Sequence, residues 1–167
     1  MNRQTVLHFA EAAHFGQKRK DGKDYITHPI AVAEIALKWF NDSVRIENEP
    51  FTANTIYAAS LLHDVLEDTC MSSDDIQDML EDAGLSIISS VRVIQAVWLL
   101  TRPSKKIPII DYLTKIKRNA LATIVKRADL EHNMSDLQPG NLLDKYQLCR
   151  NFLSYDCSLV EISKDEF

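Results

Sequence analysis

The run Ala58-Ala59-Ser60-Leu61-Leu62-His63-Asp64-Val65-Leu66-Glu67-Asp68-Thr69 constrains the chain more than any other stretch. A helix that begins Ala-Ala-Ser-Leu-Leu needs further apolar residues on its buried face. It meets His63-Asp64 instead, and one turn later Glu67-Asp68. Read as one continuous helix, His63 with Glu67 and Asp64 with Asp68 stand at i,i+4 and share a face, about 6 Å apart along the axis. One imidazole and three carboxylates then crowd into two turns, where they would repel one another without a counter-charge. Neutral imidazole nitrogen and carboxylate oxygen together suit a divalent transition metal. A solvated acidic helix end is the alternative that this stretch alone leaves open.

The flanking sequence reads as helix throughout. A first helix is expected from about Asn2 to His14, with Val6, Leu7, Phe9, Ala10 and Ala13 on its apolar face. His8 lies there as a core or surface histidine without a role. A loop from Gly16 to Tyr25 carries Lys18, Arg19, Lys20 and Lys23, and it could hold a phosphate or simply be solvated. His28-Pro29 opens a second helix, since proline suits the first helical position. Its stripe is Ile30, Ala33, Leu37 and Phe40.

A polar, acidic loop from Asn41 to Pro50 follows, and Asn54 is expected to cap the helix that carries the central stretch. Ser73-Asp74-Asp75 starts another helix, which Gly84 ends. Ser86 to Leu100 is a long apolar helix through Ile87, Val91, Ile94 and Trp98, broken by Thr101-Arg102-Pro103. Three more helices are expected, over Pro108 to about Asn119, Leu121 to about Leu137, and Leu142 to about Tyr155. Tyr112, Ile116, Leu143, Tyr146 and Cys149 face inward in this reading. Ser163 to Phe167 is an end expected to fray. The second polar intrusion, Lys126 to Asn133, sets Asp129, His132 and Asn133 at i, i+3 and i+4, so they share one helix face.

With only four glycines and five prolines in 167 residues, a turn-rich all-β fold is disfavoured, and no strand-like alternation is long enough to trust. The expectation is one all-α domain, a compact helical bundle large enough to bury roughly 70% of its unfolded surface. A net charge of −5 argues against a nucleic-acid partner. No apolar run reaches membrane-spanning length. Met1-Asn2-Arg3-Gln4 lacks a signal core, and three cysteines (Cys70, Cys149, Cys157) without Cys-x-x-Cys spacing fit a reducing cytoplasm.

Four separated patterns stand in order: Ala13-His14-Phe15-Gly16-Gln17-Lys18-Arg19-Lys20-Asp21-Gly22, Tyr25-Ile26-Thr27-His28-Pro29, His63-Asp64-Val65-Leu66-Glu67-Asp68-Thr69, and Lys126-Arg127-Ala128-Asp129-Leu130-Glu131-His132-Asn133. Together they resemble the hydrolase domain of the RelA/SpoT alarmone enzymes, a branch of the HD-domain metal phosphohydrolases. The resemblance spans roughly Thr5 to Leu137, leaving 138–167 as a C-terminal helix and tail. Nothing resembles the family's synthetase or regulatory domains, so the expectation is a stand-alone small alarmone hydrolase, a single domain over 1–167.

The resemblance implies a helical bundle around one Mn²⁺, or another divalent transition metal, with His28, His63, Asp64 and Asp129 as ligands. The plainer readings are an N-cap for His28 and an ion pair with Lys126 or Arg127 for Asp129. The resemblance makes Glu67 and Asp68 the catalytic pair. It sets Arg19 and Lys20 against substrate phosphates, Tyr25 against the nucleotide and Asn133 along the site. His14 braces the loop that carries Arg19 and stays off the metal. The chain departs from the pattern in three places. Leu130 stands where a basic residue is usual, Arg127 where an apolar one is usual, and the segment Asn41 to Thr52 is longer, as an idle loop, a lid or a partner contact.

The implied reaction is hydrolysis of the 3′-pyrophosphate of (p)ppGpp to GDP or GTP and pyrophosphate. Two alternatives stay open: an HD phosphohydrolase for NADPH, (p)ppApp or a nucleoside monophosphate, and a nucleotide-binding protein without turnover. The sequence leaves the choice of base and the oligomeric state open.

Overall fold

The computed structural model describes residues 1–42, 52–104 and 106–154. Among them the architecture is all-α, with no strand. The helices are α1 (Arg3–Ala13), α2 (Thr27–Asp42), α3 (Ala53–Leu62), α4 (Val65–Asp68), α5 (Ser73–Asp82), α6 (Ile87–Leu100), α7 (Ile109–Lys117), α8 (Ala120–Ser135) and α9 (Asn141–Ser154).

The chain marks most helix starts with a side chain that satisfies an orphan N–H of the first turn. Asn2 accepts from Gln4 N, Ser86 from Ser89 N and Asn119 from Ala122 N. Ser72 and Asp75 form a reciprocal capping box on α5. At α3 the cap is Thr52, paired with Thr55, and not Asn54 as the sequence suggested. Asn54 lies inside the first turn, where its side chain accepts from Arg3 Nε. Gly84 follows α5 with φ +79°, a backbone conformation that a β-carbon disfavours.

Helix α3 is the axis of the bundle. Ile56, Ala58, Ala59, Leu61 and Leu62 are inaccessible to solvent, and α1, α2, α6 and α8 pack around them. The alanines let neighbouring helices approach closely, while Leu61 and Leu62 fill the space between. Truncating either leucine to alanine would cost about 2–5 kcal/mol, the range for fully buried aliphatic side chains.

Two further expectations need correction. The central stretch is not one helix: α3 ends at Leu62 with His63 as its C-cap, Asp64 takes φ −102° and ψ −3°, and the short α4 begins at Val65. The long apolar helix is also turned relative to the expected stripe. Ser90, Val93, Ala96, Val97 and Leu100 of α6 face the core, while Ile87, Val91 and Trp98 are exposed and Ile94 is half-buried. Of the long 41–52 loop, Asn41 and Asp42 belong to α2 and Thr52 caps α3; the rest lies outside the described residues, as do Tyr155, Cys157 and the tail.

Candidate metal centre

Three segments converge on one point in the core. The first turn of α2 supplies His28, the α3–α4 junction supplies His63 and Asp64, and the middle of α8 supplies Asp129. His28, His63 and Asp129 are each no more than 5% exposed. His28 Nε2 lies 3.1 Å from Asp129 Oδ1 and 3.7 Å from Asp64 Oδ2. His63 Nε2 lies 3.0 Å from Asp64 Oδ2 and 3.9 Å from Asp129 Oδ1. One ligand atom from each of His28, His63 and Asp64 falls within 4.8 Å of the others. Donors about 2.1 Å from one small cation stand at such separations.

A second observation supports the fit. His63 Nδ1 bonds to Ser60 O at 2.7 Å, which places a proton on Nδ1. His63 Nε2 is buried and makes no well-directed hydrogen bond, despite its nearness to Asp64. A buried ring nitrogen without a well-directed partner is costly, and a cation in place of its proton satisfies it. The residues present therefore fit a divalent metal.

The electrostatics agree. Burial disfavours a charged His63, yet the Asp64 and Asp129 carboxylates lift its pKa to about 9. Burial also works to raise Asp64, and the His63 ring more than cancels it, leaving Asp64 at about 2. Asp129 is held well below the usual carboxylate range: burial opposes this, and the Lys126 ammonium and the His28 hydrogen bond prevail. The negative field that holds a proton on His63 is the field a metal cation would take up.

A family model described as the HD domain matches residues 6–139. The chain belongs to the HD-domain family. Within it, the chain is 34% identical over 143 residues to a guanosine-3′,5′-bis(diphosphate) 3′-pyrophosphohydrolase of Borreliella burgdorferi, covering 84% of this chain and 20% of that protein. It is 32% identical over 138 residues to the bifunctional (p)ppGpp synthase/hydrolase SpoT of Escherichia coli, covering 81% and 18%. The chain thus spans about a fifth of the length of these curated relatives. A solved structure of a metazoan ortholog of SpoT, described as hydrolysing ppGpp, superposes with a TM-score of 0.68 at 22% identity, over 91% of this chain and 83% of that one. That likeness bears on the fold, which is the HD-domain bundle.

Around the HD cluster, the other residues singled out from sequence fall into distinct places. Glu67 and Asp68 are exposed on α4. Glu67 follows the junction at which α3 gives way to α4, and its Oε2 accepts from the backbone N–H of Arg102 at 2.8 Å. Asp64 and Asp68 keep a common partner, the Tyr25 hydroxyl, at 2.5 and 3.3 Å. Tyr25, expected against the nucleotide, spends its hydroxyl on these carboxylates, and burial together with Asp64 pushes its pKa far above the ordinary phenol range. Asn133 donates from Nδ2 to Asp129 Oδ1 at 2.6 Å.

The loop before α2 folds back on itself through an antiparallel bridge between Lys18 and Asp24, with Gly22 at φ +85° in the turn. This geometry neutralises most of its charge. Lys18 pairs with Asp24 at 2.5 Å, Lys23 with Asp21 at 3.0 Å, and Arg19 reaches Asp136 at 3.7 Å. Lys20 is exposed and makes no side-chain ion pair among the described residues. His14 is buried off the cluster; its Nδ1 meets Gln17 Oε1 at 2.8 Å, and Gln17 Nε2 donates to Asp68 O at 2.8 Å. The loop is thereby tied to α4.

The two departures on α8 have structural places. Leu130 is core, and the Arg127 guanidinium lies 5.3 Å over the Trp39 ring. Sequence reasoning passed over two contacts and raised a third only as an alternative. Lys126 Nζ bonds Asp129 Oδ2 at 2.7 Å, the ion pair raised as the plainer reading of Asp129, so pairing and cluster membership hold together. His132 Nδ1 lies 2.7 Å from His28 Nδ1. Gln17 bridges His14 and Asp68. Spacing on α8 had set His132 on one face with Asp129, but its contact with His28 spans 104 positions and no local signal gives it.

Proposed function

We propose that this chain hydrolyses the 3′-pyrophosphate of (p)ppGpp, giving GDP or GTP and pyrophosphate, with one Mn²⁺ held by His28, His63, Asp64 and Asp129. The observation that carries the reading is the buried cluster with two carboxylates, Glu67 and Asp68, exposed one short helix away. The names of the matched relatives support this substrate class.

A bound divalent cation polarises a phosphoryl oxygen and makes water more acidic. The chain's own residues do the rest. Glu67, steadied by the Arg102 backbone N–H, takes a proton from the attacking water. Asp68, held by Tyr25 and by the Gln17 contact to its carbonyl, orients that water. The water oxygen bonds to the phosphorus next to the ribose 3′ oxygen. The bond to that oxygen breaks, the 3′ oxygen gains a proton, and pyrophosphate leaves. Arg19 and Lys20 face the charge that grows on the phosphates.

A second reading has its own support. With Lys18 and Lys23 internally paired, the loop offers less positive charge than its composition suggests. That favours a substrate with fewer phosphates, such as NADPH or a nucleoside monophosphate, over ppGpp.

The test is a panel of ppGpp, ppApp, NADPH, nucleoside monophosphates and dNTPs, incubated with Mn²⁺ and resolved by chromatography. GDP plus intact pyrophosphate from ppGpp, at the highest kcat/KM of the panel, is the expected result. Orthophosphate from NADPH or a monophosphate as the main product selects the second reading. Binding of ppGpp with no product selects a protein without turnover.

A further inference from the structure

We infer that His132 is a positioning residue for the metal centre: through its Nδ1 it accepts the Nδ1–H of His28 and so holds the His28 ring with its Nε2 lone pair turned into the cluster. The inference rests on the metal reading above and names a residue to which that reading gives no role.

The geometry carries the argument. The two Nδ1 atoms stand 2.7 Å apart, and the rings are tilted by 36° with centroids at 4.9 Å. At that distance one proton lies between the nitrogens; two N–H groups pointed at each other would repel, and two bare lone pairs would as well. His28 Nε2 faces Asp129 and Asp64, so it is the nitrogen that meets a metal. A ligating nitrogen has no proton, which leaves the proton of neutral His28 on Nδ1. His132 Nδ1 is then the acceptor, and the proton of His132 lies on Nε2.

The other ligands are held in comparable ways. His63 Nδ1 meets Ser60 O, Asp64 takes the Tyr25 hydroxyl, and Asp129 takes Lys126 and Asn133. Histidine ligands usually direct their second nitrogen to a carboxylate, a carbonyl or water, and these partners fix ring orientation and basicity. Here the partner of His28 is a neutral ring on α8, three residues from Asp129. One helix therefore supplies a ligand and orients another ligand that belongs to α2.

Asparagine and leucine separate the acceptor from the bulk of the ring. Asn Oδ1 stands at the same number of bonds from Cα as His Nδ1, and Leu places a methyl there. Mn²⁺ affinity is measured by titration on wild type, His132→Asn and His132→Leu, with folding checked by circular dichroism. The expected result is a loss of about 10–100-fold in affinity for His132→Leu and a value near wild type for His132→Asn. Equal affinity in all three overturns the inference, as does an equal loss in both variants. The second measurement uses wild type alone, loaded with diamagnetic Zn²⁺, and reads ¹⁵N shifts of the histidine rings. Protonation of His132 at Nε2 is expected, and protonation at Nδ1 overturns the inference even if the leucine variant fails to fold. Wild type that takes up neither metal overturns the metal reading and this inference with it; tight wild-type binding with an indifferent His132 overturns this inference alone.

Discussion

The Tyr25 hydroxyl donates to Asp64 Oδ2 at 2.5 Å, across 39 positions of sequence, and lies 3.3 Å from Asp68 Oδ2. One phenol thus ties a member of the buried cluster to an exposed carboxylate of α4. The loop that carries Tyr25 is itself tied to α4 through Gln17. Removing the hydroxyl leaves Asp64 without one of the groups that share its charge.

Tyr25→Phe should cost about 1.5–3 kcal/mol of stability in the metal-free protein, the range for a hydrogen bond to a charged group. For a domain of this size that is a fall of about 3–12 °C in Tm. Turnover should fall as well, since Asp68 loses a contact. Calorimetry in chelator and steady-state kinetics with Mn²⁺ check the two halves separately. An unchanged Tm would mean that the hydroxyl contributes no net stability.

Lys126→Met tests the counter-charge of Asp129. Breaking a fully buried pair by removing one partner costs about 3–5 kcal/mol, and with Lys126 partly exposed the loss here should fall below that range. Lys126 also rests 5.7 Å over the Tyr112 ring, so methionine keeps part of the packing. A metal cation would compensate the same carboxylate. The destabilisation should therefore be larger in chelator than in Mn²⁺, and thermal melts under both conditions measure the difference. Equal losses would mean that Asp129 does not meet the cation.

The metal itself gives the third test. Purified protein should hold close to one divalent transition metal per chain, and chelation should stop turnover. Metal that binds only the folded state raises stability by RT ln(1 + [L]/Kd), or about 2.7 kcal/mol at 100 times Kd. Asp129→Ala should lose both the metal and this increment. Elemental analysis and melts with and without chelator read both. Full activity in chelator with no metal present would remove the cluster from the mechanism.

Much of this was legible in the sequence, and the failures share a cause. Capping residues and apolar periodicity marked the helices to within a few residues, because both signals are local. The break at His63–Asp64 was not legible, since Val65 and Leu66 continue the apolar pattern across it. On α6, Ile, Val, Leu and Trp occupy nearly every side of the helix, so periodicity could not choose the inner face; the small residues Ser90 and Ala96 took it through close packing. At the site, residue types and spacing brought out His63 and Asp64, and the family resemblance added His28 and Asp129; the fold gathers all four. Partners remote in the chain could not be read. Tyr25 with Asp64, His28 with His132 and Glu67 with the Arg102 N–H are each set by how loops and helices meet in space. The loop cations misled for the opposite reason: Lys18 and Asp24 are only six positions apart, but their pairing depends on the hairpin.

Glu67→Gln separates proton transfer from metal binding. Glu67 is exposed and stands outside the cluster, and its carboxylate accepts from a backbone donor. Glutamine keeps an oxygen that can accept from the same N–H, so α4 and the end of α6 should hold their places. The carboxylate's basicity is lost. Turnover should fall about 10²-fold or more, with metal content and Tm unchanged. The companion Asp68→Asn shifts the comparison to the residue that shares Tyr25 with Asp64. If Glu67→Gln works normally and Asp68→Asn does not, Asp68 is the base. If Glu67→Gln loses the metal, Glu67 is a ligand, and the boundary between cluster and catalytic pair must be redrawn. Metal analysis and initial rates on the same preparations decide among these outcomes.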